Sequence, residues 1–222
     1  MSLSRLTLLV SLVGTCYGFQ INLSPANVIG GSGSYQGTWN TGGFNATHVL
    51  DQQTGPVNDV FGVNYWINPD NGPANAYIVI DLGAQFQITS MTLFNTHNSQ
   101  FGDRGTGNFS FEASNSITAP GVLGSDLSGA ITTILNGALS AAPVSNPISG
   151  QTFAVSNTNT FRYIKFEPHS VASANAPCCG TNVYGLNEVR VFSDAVPEPS
   201  SMALLGGGLL AGLASLARRR RR

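Results

Sequence analysis

Few side chains in this sequence are spaced for catalysis. His48, His97 and His169 are scattered, and none stands in a His-x-x-x-His pair or beside the glutamate of a metal-hydrolase motif. Gly31-Ser32-Gly33 offers a serine, but not the strand–turn–helix setting that exposes a nucleophile at a sharp elbow. Cys178 and Cys179 are adjacent, without the Cys-x-x-Cys spacing or histidine partners of a metal or redox centre. Outside the cytoplasm they could close a strained vicinal disulfide, remain free thiols or link two molecules. The chemistry on offer is therefore that of binding and sorting, and the chain is expected to be no enzyme.

The two ends carry the sorting signals. Arg5 precedes the apolar run 6–13, and small residues follow at Gly14, Cys16 and Gly18, as in a cleavable signal peptide of residues 1–18. Thr15 stands where an acylated Cys16 would want Gly or Ala, which argues against a lipoprotein. At the other end a Pro197-Glu198-Pro199 spacer in residues 194–201 leads into the apolar segment 202–217 and then Arg218 to Arg222. Positive charge resists translocation, so the arginines hold the carboxyl end in the cytoplasm while the preceding domain sits outside. Sixteen apolar residues as a helix cover about 24 Å, short of a hydrocarbon core of about 30 Å. A transient stop suits this segment better than a permanent anchor.

That ordered tail resembles the PEP-CTERM sorting signal of Gram-negative bacteria that make exopolysaccharide. The resemblance implies transient insertion in the inner membrane and cutting near Pro197, Glu198 and Pro199 by an exosortase-type enzyme. The product would then reside at the cell surface or in the extracellular matrix.

Without its ends the chain is acidic. Residues 19–196 keep only Arg104, Arg162, Lys165 and Arg190 as bases against ten acids, a net of −6. Such a domain is a poor partner for nucleic acid or anionic membranes. The whole chain is 42% hydrophobic and 9% charged, enough apolar content to exclude disorder.

Strands must position whatever site exists. Residues 76–82, 86–94, 108–113, 151–155, 160–166 and 185–192 alternate between apolar and polar residues, and turn signals bound them. Residues 119–147 are rich in Gly, Ser and Ala, and could hold a short helix or a weak strand pair. No long 3.6-residue apolar stripe occurs between the ends, so residues 19–193 are expected to form one all-β sandwich.

The order of these strands resembles the discoidin-like, or coagulation factor V/VIII C-domain-like, galactose-binding jelly roll. The matching pieces are Val49-Leu50-Asp51 with Asn64-Tyr65-Trp66, and the strand 77–83 ending in Asp81-Leu82-Gly83. Asn95-Thr96-His97-Asn98 with Asp103-Arg104-Gly105-Thr106 and the run 109–114 follow, and residues 162–166 and 185–192 close the set. The resemblance implies a structural Ca²⁺ held by Asp51, Glu188, the Val49 carbonyl and Asn64, which stands where the family usually has threonine. The loop 51–66 is longer than usual and adds Thr54, Asn58 and Asp59 as further oxygen donors. The alternative is that Asp51 and Glu188 only receive loop hydrogen bonds.

The same resemblance implies a ligand surface on loops at one end of the sandwich: His97, Asn98, Phe101, Arg104 and Tyr184, with Tyr35 and Trp39 as further candidates in the Gly-rich early segment. An exposed aromatic face would stack on a sugar ring while a guanidinium bonds its hydroxyls; the alternative is that Asp103 and Arg104 pair to stabilise their loop and the aromatics plug the core. Trp66 is read as capping the core. The expected protein is an exported, non-catalytic binder of extracellular polysaccharide or cell-surface glycan. The rival is a matrix or adhesion protein whose sandwich binds other proteins.

Overall fold

Short alternating runs separated by Gly, Asn and Ser fold as strands β1 (Phe19–Gln20), β2 (Val28–Gly31), β3 (Trp66–Ile67), β4 (Ile78–Phe94), β5 (Asn108–Ser114) and β6 (Ser116–Ile117). They continue as β7 (Leu127–Ser128), β8 (Thr132–Ala138), β9 (Gln151–Ala154), β10 (Thr160–Pro168), β11 (Gly185–Leu186) and β12 (Glu188–Ser193). The computed structural model describes residues 18–55, 64–69, 75–97, 104–142, 147–173 and 183–194. Residues 1–17 of the expected signal peptide, the whole sorting tail, Asn58, Asp59, Asn98, Phe101, Cys178 and Cys179 lie outside these residues. No helix among the described residues is long and apolar enough to cross a membrane.

β4 organises the sandwich. Its first part pairs with β2 and β10, and its last part with β9 and β12, all antiparallel. One strand thus serves both layers, where two separate strands were expected from residues 76–82 and 86–94. The change of direction falls at Gly83, whose φ of +84° a side-chain-bearing residue adopts only at a cost. Asp81 secures this corner: its Oδ1 accepts the Gly83 N–H, and Arg162 grips both carboxylate oxygens at 2.9 Å. Burial works against the charged Asp81, but the Arg162 fork and the Gly83 N–H outweigh it and hold its carboxyl below the usual range.

The remaining strands extend one layer as β4–β10–β5–β8 and edge the other with β1 on β12. Among its described residues the stretch 119–147 thus contributes a real edge strand, β8, and no helix, while β6 and β7 form a small separate pair. β8 was illegible because only Ile134 along it is buried. Gly137 allows the Phe109 ring to lie across β8; a Cβ there would meet Phe109 Cζ at 2.6 Å.

Between the layers, Ile78 and Ile80 from the first half of β4 share one core with Ile88, Met91 and Leu93 from its second half. Trp66 is fully buried in it, donates Nε1–H to the Gly33 carbonyl at 3.1 Å and meets Phe166 edge-on at 6.4 Å. Phe166 also touches Phe109 and Phe111, with centroids 5.8 and 5.3 Å away. Phe166→Ala should therefore lower the unfolding free energy by about 3–5 kcal/mol. Urea unfolding checks this, and a loss under 1 kcal/mol would mean that Phe166 is not a centre of the core.

Candidate functional site

The register divides the sandwich into two poles. Phe109 pairs with Pro168 at one end of the β5–β10 ladder and Ser114 with Tyr163 at the other, separated by about 17–20 Å of strand. The first pole gathers the segments 95–107, 169–173 and 183–188.

Asn95 builds this pole, and sequence reasoning gave it no role beyond membership of a motif. Fully buried, it donates from Nδ2 to the carbonyls of Thr106 and Ser140, while its Oδ1 accepts the N–H groups of Thr96 and Thr106. Thr106 in turn donates its hydroxyl and its N–H to the Gly185 carbonyl. A side-chain amide with two donors and one acceptor oxygen can tie three loops at once, which no hydroxyl could do. Gly185 sits where the loops converge. A Cβ there would meet Thr96 Cγ2 at 2.5 Å, the Arg104 carbonyl at 2.6 Å and the Trp66 carbonyl at 3.0 Å.

Three of the expected ligand residues are brought together at this junction. Arg104 and Tyr184 border Gly185 through backbone contact or sequence, and His97 follows Thr96. All three are buried: His97 at 0%, Tyr184 at 1% and Arg104 at 6% exposure. Tyr184 belongs to the main core cluster, and burial raises its phenol pKa. Its ring offers no face to a ligand, which corrects the expectation of an exposed platform at this position. The physical reason is its place between Asn68, whose Oδ1 accepts its N–H, and the packed Gly185 junction. Trp39 is likewise buried at 7%, and half-buried Tyr35 packs edge-on against Phe44 at 5.5 Å. Among the expected ligand residues, Asn98 and Phe101 lie outside the described residues.

The acidic cluster is at the same pole. A 3-10 helix, Ala46–Leu50, starts where Asn45 Oδ1 accepts the Thr47 N–H and ends at Asp51. Val49 and Leu50 fasten it into the core at 0% and 1% exposure. Asp51 Oδ1 accepts the Gln53 N–H, and Asp51 Oδ2 lies 3.3 Å from His48 Nδ1. Gln52 then takes a φ of +63°, which costs a non-glycine residue about 1 kcal/mol, and so aims its N–H at Glu188 Oε2, 3.0 Å away.

Glu188 opens β12 at 1% exposure. Burial pushes its carboxyl up to about 8, and the Asp51 charge adds to the rise, against the Gln52 N–H and Arg190, whose Nε is 3.9 Å away. Asn64, also buried, offers its carbonyl to Asn187 Nδ2 at 2.7 Å. The oxygen of the same Asn187 amide, Oδ1, is buried without a hydrogen bond. Asp51 and Glu188 are thus neighbours, and Asn64 is tied to the residue before Glu188.

The donor set fits a hard cation such as Ca²⁺, which takes six to eight oxygens from carboxylates, amides and carbonyls. One buried carboxylate, Glu188, beside the half-buried Asp51, and an amide oxygen without a hydrogen bond are what such an ion relieves. No cluster of three or more His, Cys, Asp or Glu side chains occurs among the described residues, so two carboxylates would need carbonyl and amide oxygens to complete a shell.

Residues 195–222 match the PEP-CTERM protein-sorting motif, the mark of an exported protein. No curated protein matches the sequence significantly. Among solved structures, the chain is similar to the family 32 carbohydrate-binding module of C. perfringens NanJ in complex with galactose. That match has 13% identity and a TM-score of 0.52, over 80% of this chain and 100% of that one. CpGH89CBM32-5 from Clostridium perfringens, in complex with GalNAc-β-1,3-galactose, matches at 13% identity and TM-score 0.52, over 79% and 100% of the two chains. Truncated AlyQ, with CBM32 and alginate lyase domains, matches at 16% identity and TM-score 0.51, over 81% of this chain but 34% of its own. These likenesses show the fold: a CBM32- or discoidin-like β-sandwich.

Proposed function

We propose that this chain is an exported, non-catalytic carbohydrate-binding protein of the cell surface or extracellular polysaccharide. An exosortase-type enzyme would process it at the Pro197-Glu198-Pro199 motif. One observation supports the reading: in a CBM32-like sandwich, the segments ending at His97 and starting at Arg104 converge on Gly185 at a single pole, with both of those side chains buried beneath it. Modules of this fold whose printed descriptions name galactose and GalNAc-β-1,3-galactose support a glycan as the ligand class. With Tyr184 in the core, the aromatic contact falls to Phe101, flanked by Asn98 and Arg104.

At the same pole the carboxylates of Asp51 and Glu188, the Val49 carbonyl and the Asn64 amide would hold Ca²⁺. When bound, the ion would supply positive charge between the 3-10 helix and β12. The chain's own part is already in place: Gln52 clamps Glu188, and Asn187 fixes Asn64.

A glycan array probed with the mature protein tests the proposal. Phe101→Ala and Arg104→Ala should each weaken binding about tenfold or more, with melting temperature followed in parallel because Arg104 is buried. Binding that survives both substitutions would move the site elsewhere. Saturable binding to a protein, with no glycan signal, would favour the adhesion reading, and turnover on a polysaccharide panel would overturn the non-catalytic one.

A further inference from the structure

The opposite pole holds a cleft of about 440 Å³, within the range of about 300–1,000 Å³ typical of small-ligand sites. It lies where β5 ends and β10 begins, and Asn115, Ser116, Thr132, Asn159, Thr160 and Phe161 are among its lining residues. Among the described residues, no charged side chain lines it. The nearest base along the strand, Arg162, is held in the Asp81 fork.

The cleft keeps unspent hydrogen-bonding capacity. Asn115 uses one N–H on the Thr160 carbonyl and its Oδ1 on the Arg162 N–H, which leaves its second N–H. Thr160 donates its hydroxyl to Gln85 and keeps its lone pairs. The hydroxyls of Ser116 and Thr132 and the side-chain amide of Asn159 make no bond among the described residues, and Ser116 and Asn159 are exposed. Phe161, 6% exposed, adds an apolar surface.

Hydroxyls and amides that both donate and accept, around a little apolar surface and without charge, match the hydroxyls and C–H faces of a neutral sugar. A phosphate or carboxylate ligand would call for Arg or Lys, and none faces the cleft. The location adds a second argument. Ser193, the last residue of β12, pairs with Ile88 just beyond the β4 corner, so the described β-sandwich ends at this pole. The His97–Arg104 loops are at the far pole.

We propose that this cleft is a second subsite for a neutral glycan, so that one molecule bridges two polysaccharide segments, one at each pole. The inference rests on the carbohydrate-binding reading above, but uses none of its residues.

The test counts sites on the mature protein by calorimetry with neutral oligosaccharides of galactose and N-acetylgalactosamine. Three proteins are compared: wild type, Ser116→Ala/Asn159→Ala, and Arg104→Lys. The first two substitutions touch exposed side chains with no internal bonds, so the melting temperature should not move. Two sites in wild type are expected, with one weakened about tenfold or more in the cleft variant and the other in Arg104→Lys. Wild type alone should then cross-link a polysaccharide of the same sugars into aggregates. A single site untouched by the cleft variant overturns the second subsite and leaves the carbohydrate reading standing. Binding lost in the cleft variant but not in Arg104→Lys supports the cleft and overturns the loop site. No binding of any of these sugars overturns both.

Discussion

In calcium-free buffer the protein should lose on the order of 4 kcal/mol of unfolding free energy as pH rises from 4.5 to about 8, a loss that Glu188→Gln should largely remove. The sign follows from the buried carboxyl. Its ordinary value is 4.5 and its value in the fold is about 8, so between the two the folded state holds a proton that the unfolded chain has released. Stability from this group is complete below 4.5 and disappears as pH climbs through 8. Glutamine keeps the shape and the acceptor for the Gln52 N–H but cannot ionise, so the difference between wild type and variant isolates the effect from other titrating groups.

Calcium should reverse the trend, because it binds the ionised carboxylate and competes with the proton. Saturating Ca²⁺ should raise the wild-type melting temperature more at pH 8 than at pH 5, and leave Glu188→Gln almost unmoved. Denaturant titrations at several pH values, in EDTA and in calcium, measure both effects. A wild-type curve as flat as that of the variant would refute the burial argument. An unchanged melting temperature with no metal retained would refute the ion.

The second large effect is expected at Lys165, 7% exposed and the only lysine in the chain. Its Nζ lies 2.8 Å from Glu167, 3.0 Å from Asp126 and 3.6 Å from Glu112, and 4.7 Å from the Tyr77 ring centroid. Burial works against the ammonium, but the bonds to Glu167 and Asp126 outweigh it and raise its pKa. Its stabilising contribution is therefore present below the ordinary lysine value of 10.5 and is lost as pH rises through the higher folded value.

Lys165→Met keeps the length and the apolar stem but leaves three carboxylates facing one another. Breaking a fully buried pair costs about 3–5 kcal/mol; the carboxylates here are 20–36% exposed, so water screens them and about 2–3 kcal/mol is expected. That corresponds to a fall in Tm of about 4–12 °C. Adding Glu167→Gln to Lys165→Met should restore part of the loss, since one of the three charges is then gone. If Lys165→Met melts with wild type, the cluster contributes no net stability.

The sequence by itself determined the sorting address and the strand class. Pro197-Glu198-Pro199, the apolar run and the terminal arginines are local and ordered, and strand alternation is a property of neighbours in the chain. The same alternation put Phe109 and Phe111 on one buried face, whereas Asp81-Leu82-Gly83 read as a strand end although β4 runs on through it and only turns at Gly83, with φ of +84°. Only the tertiary structure decided what covers each face. For Tyr184 and Arg104 the pattern left a ligand surface and a packed role both open, and they, like His97, are buried because chain from residues 66, 96 and 185 closes over one point. Asn95 became the tie between loops through a partner 45 residues away, and Lys165 found Asp126 at a separation of 39. Periodicity specifies which way a side chain faces relative to its own strand, but desolvation and charge pairing depend on which distant segment arrives there. For that reason the proteins sharing this fold could be anticipated from residue patterns, while the high carboxyl pKa of Glu188 and the uncharged cleft at the pole opposite Gly185 emerged only from the packed molecule.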